Sequence, residues 1–246
     1  MDDNLDQLLR NLKLDKLRQI LPEELKKAMK TKASYDALLI ALFRAQYQDQ
    51  LERSVASRIK NARIPEKWSL ATFPFDRQPG VDARVIRQLG TLEFISRAEN
   101  LVLVGEPGVG KTGIATGLLL RALESGYRGR FLRAQDLFDE LYASLADRST
   151  RRLLDSLARI DVLCIDEMGY LNLRPEQSNA FFKLIEERYV NKRTTLITTN
   201  LPYEGWYELL GNKKMVEALL DRLRQRCLTI TIEGPSLRDP AHATTP

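Results

Sequence analysis

The sequence predicts an α/β fold, a mostly parallel sheet with flanking helices, preceded by a small all-helical domain. Three observations predict it. Beyond residue 81, short apolar, β-branched runs alternate with segments of helical length, as strands do when crossover helices bury both faces of a sheet. Up to residue 64, leucines recur at helical spacing. Between the two lie Pro65, Pro74, Pro79 and Gly80, a density that breaks helices and marks a linker. The expected division is a helical domain over 1–64, a linker over 65–80 and an α/β domain over 81–246.

In the first part, Leu5, Leu8, Leu9 and Leu12 form one helical stripe. Pro22, followed by Glu23 and Glu24, reads as the start of a second helix. Ser34 reads as the N-cap of a third, with Asp36 in its first turn. That helix is apolar at first (Tyr35, Leu38, Leu39, Leu42, Phe43) and then basic (Arg44, Arg53, Arg58, Lys60, Arg63). Lys26, Lys27, Lys30 and Lys32 precede it. Such charges are either a solvated face or a surface that contacts phosphates. In the linker, Trp68, Phe73 and Phe75 predict a segment packed down on its neighbours.

The α/β part reads in order as an amphipathic segment over 82–96, a strand over 101–104 and a helix over 111–123. A strand over 131–133 and a helix over 135–145 follow. Next come a strand over 161–165, a helix over 176–189 and a strand over 194–199. Two helical pieces, 203–210 and 215–224, lead to a last strand over 228–232. That makes five strands.

Composition removes several function classes. At 246 residues, 43% hydrophobic and 29% charged, the chain suits one sizeable globular domain with an appendage. Its longest apolar runs fall far short of the roughly 20 residues of a membrane span. The acidic start, Met1-Asp2-Asp3-Asn4, lacks the pattern of a secretory signal, so a cytoplasmic location is expected. Cys164 and Cys227 form no Cys-x-x-Cys pair, and Cys164 sits in an apolar run as a small buried hydrophobe. One histidine, His242, leaves nothing for a histidine-based metal site or triad. A net charge of +5 favours a polyanionic partner, most simply nucleic acid.

The strongest motif is Gly105-Glu106-Pro107-Gly108-Val109-Gly110-Lys111-Thr112, a phosphate loop that matches G-x-x-x-x-G-K-[ST] at every fixed position. Glycines let the backbone turn its N–H groups inward, and the loop opens onto a helix N-terminus that favours an anion. The expected nucleotide-binding set is these eight residues and Gly113. Lys111 is expected to reach the β- and γ-phosphates of ATP, and Thr112 to ligate Mg²⁺. A second motif, Val162-Leu163-Cys164-Ile165-Asp166-Glu167, is an apolar strand ending in two carboxylates. Asp166 is expected to hold the Mg²⁺, and Glu167 to orient and deprotonate the attacking water. Asn200 ends the strand over 194–199, at the edge where parallel sheets bind ligands. It is either a water-positioning amide or a turn former before Leu201-Pro202. Arg222, Arg224 and Arg226 crowd a helix end, as cations at a C-terminus or as an arginine finger for a neighbouring subunit.

With these residues in place, the chain resembles the IstB-type ATP-binding proteins of insertion-sequence transposition, AAA+ ATPases in the clade of DnaC-like helicase loaders. The resemblance covers most of the chain. Its specific parts are Phe75-Asp76-Arg77-Gln78-Pro79-Gly80, Thr91-Leu92-Glu93-Phe94-Ile95, Ile165-Asp166-Glu167-Met168-Gly169-Tyr170, Thr198-Thr199-Asn200-Leu201 and Ala218-Leu219-Leu220-Asp221-Arg222-Leu223. It implies an AAA+ P-loop core with a five-stranded parallel sheet and no helical lid after the last strand. Asn200 matches the sensor position, Arg222 the first choice for the arginine finger and Arg226 the second. Arg238 is the one late candidate for a second sensor. The resemblance further implies a bacterial protein that assembles as a ring or helix on double-stranded DNA with ATP. It would remodel that DNA and recruit a DDE-type transposase, its helical N-terminal part binding DNA and partners. A replicative helicase loader is the alternative.

Overall fold

The computed structural model describes residues 3–66, 68–169 and 171–238; the features noted above at Tyr170 and His242 lie outside them. The chain divides into two compact units, Met1–Ser57 and Arg58–Pro246. In the first, α1 (Asp3–Asn11), α2 (Asp15–Thr31) and the first part of α3 (Tyr35–Ala62) enclose a small core of Leu9, Leu17, Leu21 and Leu42. The Leu17 N–H donates to the Gln46 side chain at 3.0 Å. Ser34 caps α3, its hydroxyl accepting from the Ala37 N–H at 3.2 Å.

Pro22 does not start a helix but lies inside α2. An interior proline costs about 3 kcal/mol, and burying a leucine contributes about 1.5–3 kcal/mol. Leu17 and Leu21 are both buried, so carrying the helix through Pro22 is favourable. The apolar half of α3 is largely in solvent. Leu42 is buried, whereas Tyr35, Leu39, Phe43 and Tyr47 are exposed.

The second unit is a three-layer α/β domain. The remaining elements are α4 (Ala83–Leu89), α5 (Glu93–Ser96), β1 (Asn100–Gly105), α6 (Lys111–Glu124), β2 (Gly129–Arg133), α7 (Ala134–Ala146), α8 (Thr150–Ala158), β3 (Val162–Met168), α9 (Pro175–Val190), β4 (Thr194–Thr199), α10 (Gly205–Leu210), α11 (Lys213–Arg224) and β5 (Cys227–Ile232). The five strands form one sheet in the order β2-β3-β4-β1-β5, and every pairing is parallel. Strand alternation divides the core. Leu101, Leu103, Phe131, Cys164 and Leu196 face α6. Val102, Leu132, Leu163, Ile165 and Ile197 face the layer of α7 to α11, where Phe138, Phe181 and Trp206 fill the interior. No helix follows β5 among the described residues.

Three local readings change. The 82–96 segment is two helices, broken where Leu92 takes φ +67° to bring its side chain into the core. Helix α8 was not anticipated, although Leu154 and Leu157 sit at helical spacing and are buried. β3 does not stop at the acid pair but runs on to Met168 through a register shift against β4.

Arg188, on α9, is 1% exposed. Its guanidinium donates to the Leu157 carbonyl at 2.6 Å, the Ile160 carbonyl at 2.9 Å, the Thr195 hydroxyl at 3.0 Å and the Thr194 carbonyl. It ties the end of α8 to the start of β4 without a carboxylate. Arg188→Ala leaves several buried acceptors unpaired, and chemical denaturation should show a loss of at least about 3 kcal/mol.

Candidate functional site

The candidate site lies at the carboxyl edge of the sheet. β1 delivers Gly105, and α6 begins at Lys111. Between them Gly108 has φ +88° and Gly110, the N-cap of α6, φ +99°. Both are left-handed values that strain any L side chain. The Lys111 ammonium folds back on its own loop, donating to the Gly105 carbonyl at 2.7 Å and the Glu106 carbonyl at 2.8 Å. Burial lowers its pKa, opposed by the nearby Asp166, Glu106 and Glu167 carboxylates and reinforced by Arg238.

Asp166 is 3% exposed. Its carboxylate accepts from the Thr112 hydroxyl at 2.9 and 3.1 Å and from the Thr198 hydroxyl at 2.5 Å. Burial raises its pKa, and these two hydroxyls offset the rise only in part. Next to it Glu167 has φ +60° at the irregularity in β3. In a regular strand, successive side chains point to opposite faces. A bulge re-aims one of them, and backbone strain of this kind gathers at functional sites. The Glu167 N–H donates to the Thr198 hydroxyl at 2.9 Å. Thr198 thus holds both acidic residues, one through a carboxylate and one through its backbone.

A cleft of about 650 Å³ opens above these groups. Lys111, Thr112, Glu167, Thr198 and Asn200 line it together with Gly108, Gly110 and Gly113. Asn200 reaches it beside Gly169, where an added Cβ would stand 2.2 Å from the Asn200 side-chain oxygen. Two other segments complete the walls, Trp68 and Phe73 from 65–80 and Leu237 and Arg238 from beyond β5. The buried Gln78 clamps both to the loop, donating to the Val109 carbonyl at 3.1 Å and the Pro235 carbonyl at 3.0 Å. The Leu237 N–H donates to the Gly108 carbonyl at 2.9 Å.

The structure therefore brings together the phosphate loop, Asp166, Glu167 and Asn200. Arg222 and Arg226 do not line this cleft. Arg222 donates to the Ala218 carbonyl at 2.9 Å and to Glu186 at 3.1 Å, and lies over the Phe182 ring. Arg226 is exposed at the opposite edge of the sheet, around a hollow with Asn100, Lys192 and Arg193. Sequence reading passed over Thr198, Trp68, Phe73 and Arg133 as site residues. Arg133 was legible, because it ends β2 at the ligand-binding edge and lines the cleft. Trp68 and Phe73 gave no signal, because only the fold carries them to the loop.

The oxygen donors of Thr112 and Asp166 suit a hard divalent cation such as Mg²⁺. Among the described residues no cluster of three or more His, Cys, Asp or Glu could hold a metal by itself. No helix among them is long and apolar enough to cross a membrane.

A phosphate loop at the edge of a five-stranded parallel sheet in this order, with the acid pair on β3 and Asn200 after β4, defines an AAA+ P-loop domain. A family model described as IstB-like ATP binding protein matches residues 7–244. The chain belongs to that family. It is 35% identical over 234 residues to the ATP-binding protein of insertion sequence IS21 from Pseudomonas aeruginosa, covering 95% of this chain and 88% of that one. Among solved structures, the DnaC helicase loader superposes with a TM-score of 0.53 at 25% identity, covering 61% of this chain and 88% of that one. The replication initiator DnaA bound to AMPPCP and single-stranded DNA shares the fold, with a TM-score of 0.58 at 16% identity over 70% of this chain and 52% of that one.

The raised pKa of Asp166 has a stability consequence. The folded chain holds the proton more tightly than the unfolded chain does. Its stability is therefore lost as pH rises from the ordinary carboxylate value, about 4, through the higher folded value. Asp166→Asn removes the buried charge and keeps an acceptor for Thr112 and Thr198. Without nucleotide it should melt about 2–4 °C above wild type at pH 7.5, the effect of about 1 kcal/mol in a domain of this size, with the gap closing near pH 4.

Proposed function

We propose that this chain is an ATP-hydrolysing regulator of transposition. It would oligomerise on double-stranded DNA with ATP, remodel that DNA, and recruit and stimulate a DDE-type transposase. The observation that carries the hydrolytic part is the Thr198 hydroxyl. It accepts from the Glu167 N–H while donating to Asp166, so one side chain fixes the Asp166 carboxylate and the Glu167 backbone together. The insertion-sequence relative and the net charge of +5 support the DNA part.

In this reading the backbone N–H groups of 108–113 and the α6 N-terminus bind the phosphates. Lys111 leaves the Gly105 and Glu106 carbonyls to meet the β- and γ-oxygens. Thr112 and Asp166 hold Mg²⁺, which when bound neutralises charge that develops on the phosphate oxygens. Glu167 accepts the proton of the attacking water, and Asn200 positions that water. Arg222 or Arg226 acts on the site of a neighbouring subunit, since neither reaches the cleft of its own chain. Hydrolysis then times assembly and disassembly. The helical unit before residue 58 and its lysines supply DNA and partner contacts.

The likeness to the DnaC loader favours a second reading, delivery of a replicative helicase. Co-purification of transposase rather than helicase with the tagged, ATP-loaded protein supports the first reading, and the reverse reverses the order.

Glu167→Gln should keep ATP affinity within about twofold and slow phosphate release by 10²–10⁴, the usual range for general base catalysis. Unchanged turnover would remove Glu167 from the mechanism. Gly169→Ala should push Asn200 out of the cleft, cutting turnover about tenfold or more while leaving ATP affinity nearly unchanged. Single-turnover hydrolysis beside equilibrium binding separates the two effects.

A further inference from the structure

We propose that Glu66 selects adenine at the nucleotide site, with Trp68 and Phe73 as the wall on which the base lies. This rests on reading the cleft as the ATP site and adds the residue that tells one purine from another. The cleft has two unlike ends. Lys111, Thr112, Glu167 and Asn200 gather at one. At the other, Gly110 and Gly113 face the aromatic rings without side chains of their own. An added Cβ at Gly110 would stand 2.8 Å from the Phe73 ring, and one at Gly113 would stand 3.6 Å from the Trp68 ring. The polyphosphate follows the loop N–H groups toward the α6 N-terminus. With its γ end at Glu167 and Asn200, the nucleoside leaves past Gly113, toward Trp68 and Phe73. Leu237 adds a third apolar surface to the cleft. A flat purine stacks on aromatic faces whatever its identity, so this wall gives affinity without choice.

Choice requires a polar group at the edge of the base, and Glu66 supplies one. It lines the cleft with Trp68. The Trp68 indole N–H donates to one Glu66 carboxylate oxygen at 3.0 Å. That bond orients the carboxylate and leaves its second oxygen without a hydrogen bond among the described residues. A carboxylate only accepts. The 6-amino group of adenine donates to it, whereas the 6-oxo group of hypoxanthine or guanine in the same position sets acceptor against acceptor, and their N1–H meets the carboxylate only if the base shifts along the wall. Glu66 is exposed, so solvent screening holds the discrimination near tenfold, the low end for hydrogen bonds to charged groups.

The test is equilibrium binding of Mg²⁺-ATP and Mg²⁺-ITP to the full-length chain. Inosine differs from adenosine at the 6 position, where an amino group becomes an oxo group beside a protonated ring nitrogen. Wild type should prefer ATP about tenfold. Glu66→Gln should bring the ratio near one, because its amide offers a donor to the oxo group. Trp68→Phe should keep most of the affinity, narrow the preference and abolish the tryptophan fluorescence change on binding. Trp206, the second tryptophan, is fully buried and does not line the cleft. A wild-type ratio near one, or a Glu66→Gln ratio equal to a tenfold wild-type ratio, overturns the assignment while leaving the ATP site in place. If neither nucleotide binds, the ATP site and this assignment fall together.

Discussion

The structure turns on one buried carboxylate. Asp166 is tied by two hydroxyls to the start of α6 and to β4, so three elements meet on a charge that burial disfavours. Nothing in the core asks for that charge, and an amide would accept the same hydrogen bonds. Burial outweighs the two hydroxyls and the attraction of Lys111, a standing cost that a bound cation would relieve. The same geometry strains Glu167, whose φ of +60° is held by its bond to Thr198. Strain and buried charge lie on adjacent residues, at the place where the sheet meets its ligand edge.

Around this point the second unit is built as a vice. β1 and α6 present the phosphate loop. The segment 65–80 closes on it from before the domain, and the stretch after β5 closes from behind, with Gln78 bonded to both. A glycine at 110 makes the closure possible, since a Cβ there would stand 2.8 Å from the Phe73 ring. The loop therefore does not stand alone as a phosphate grip. It is the floor of a cleft whose walls come from residues more than 120 positions apart in the chain.

Much of this was legible in the sequence. All five strands and the helix after the phosphate loop fall where apolar runs and periodicity place them, because those signals are local. Pro22 misled, because its local cost is real but smaller than the burial of Leu17 and Leu21, which depends on Leu9 and Leu42 arriving from other helices. The length of β3 misled for a similar reason. Asp and Glu at a strand end read as a terminus, yet the bulge pairs Met168 with Thr199 and continues the ladder. Thr198 looked like one threonine among four in β4, and only its hydrogen bonds to Asp166 and Glu167 at the bulge set it apart. The exposed Tyr35, Phe43 and Tyr47 show the converse limit, since helical periodicity reveals an apolar stripe but not whether anything covers it.

The family and the fold agree on a nucleotide-binding protein, and the proposal is that the nucleotide state governs how long the chain stays on DNA. The most direct measurement is the lifetime of a complex with duplex DNA, at fixed low salt, for wild type and Glu167→Gln with ATP, ADP or no nucleotide. The account predicts short lifetimes without nucleotide or with ADP, a longer one for wild type with ATP, and the longest for Glu167→Gln with ATP. Equal lifetimes in every state would contradict it.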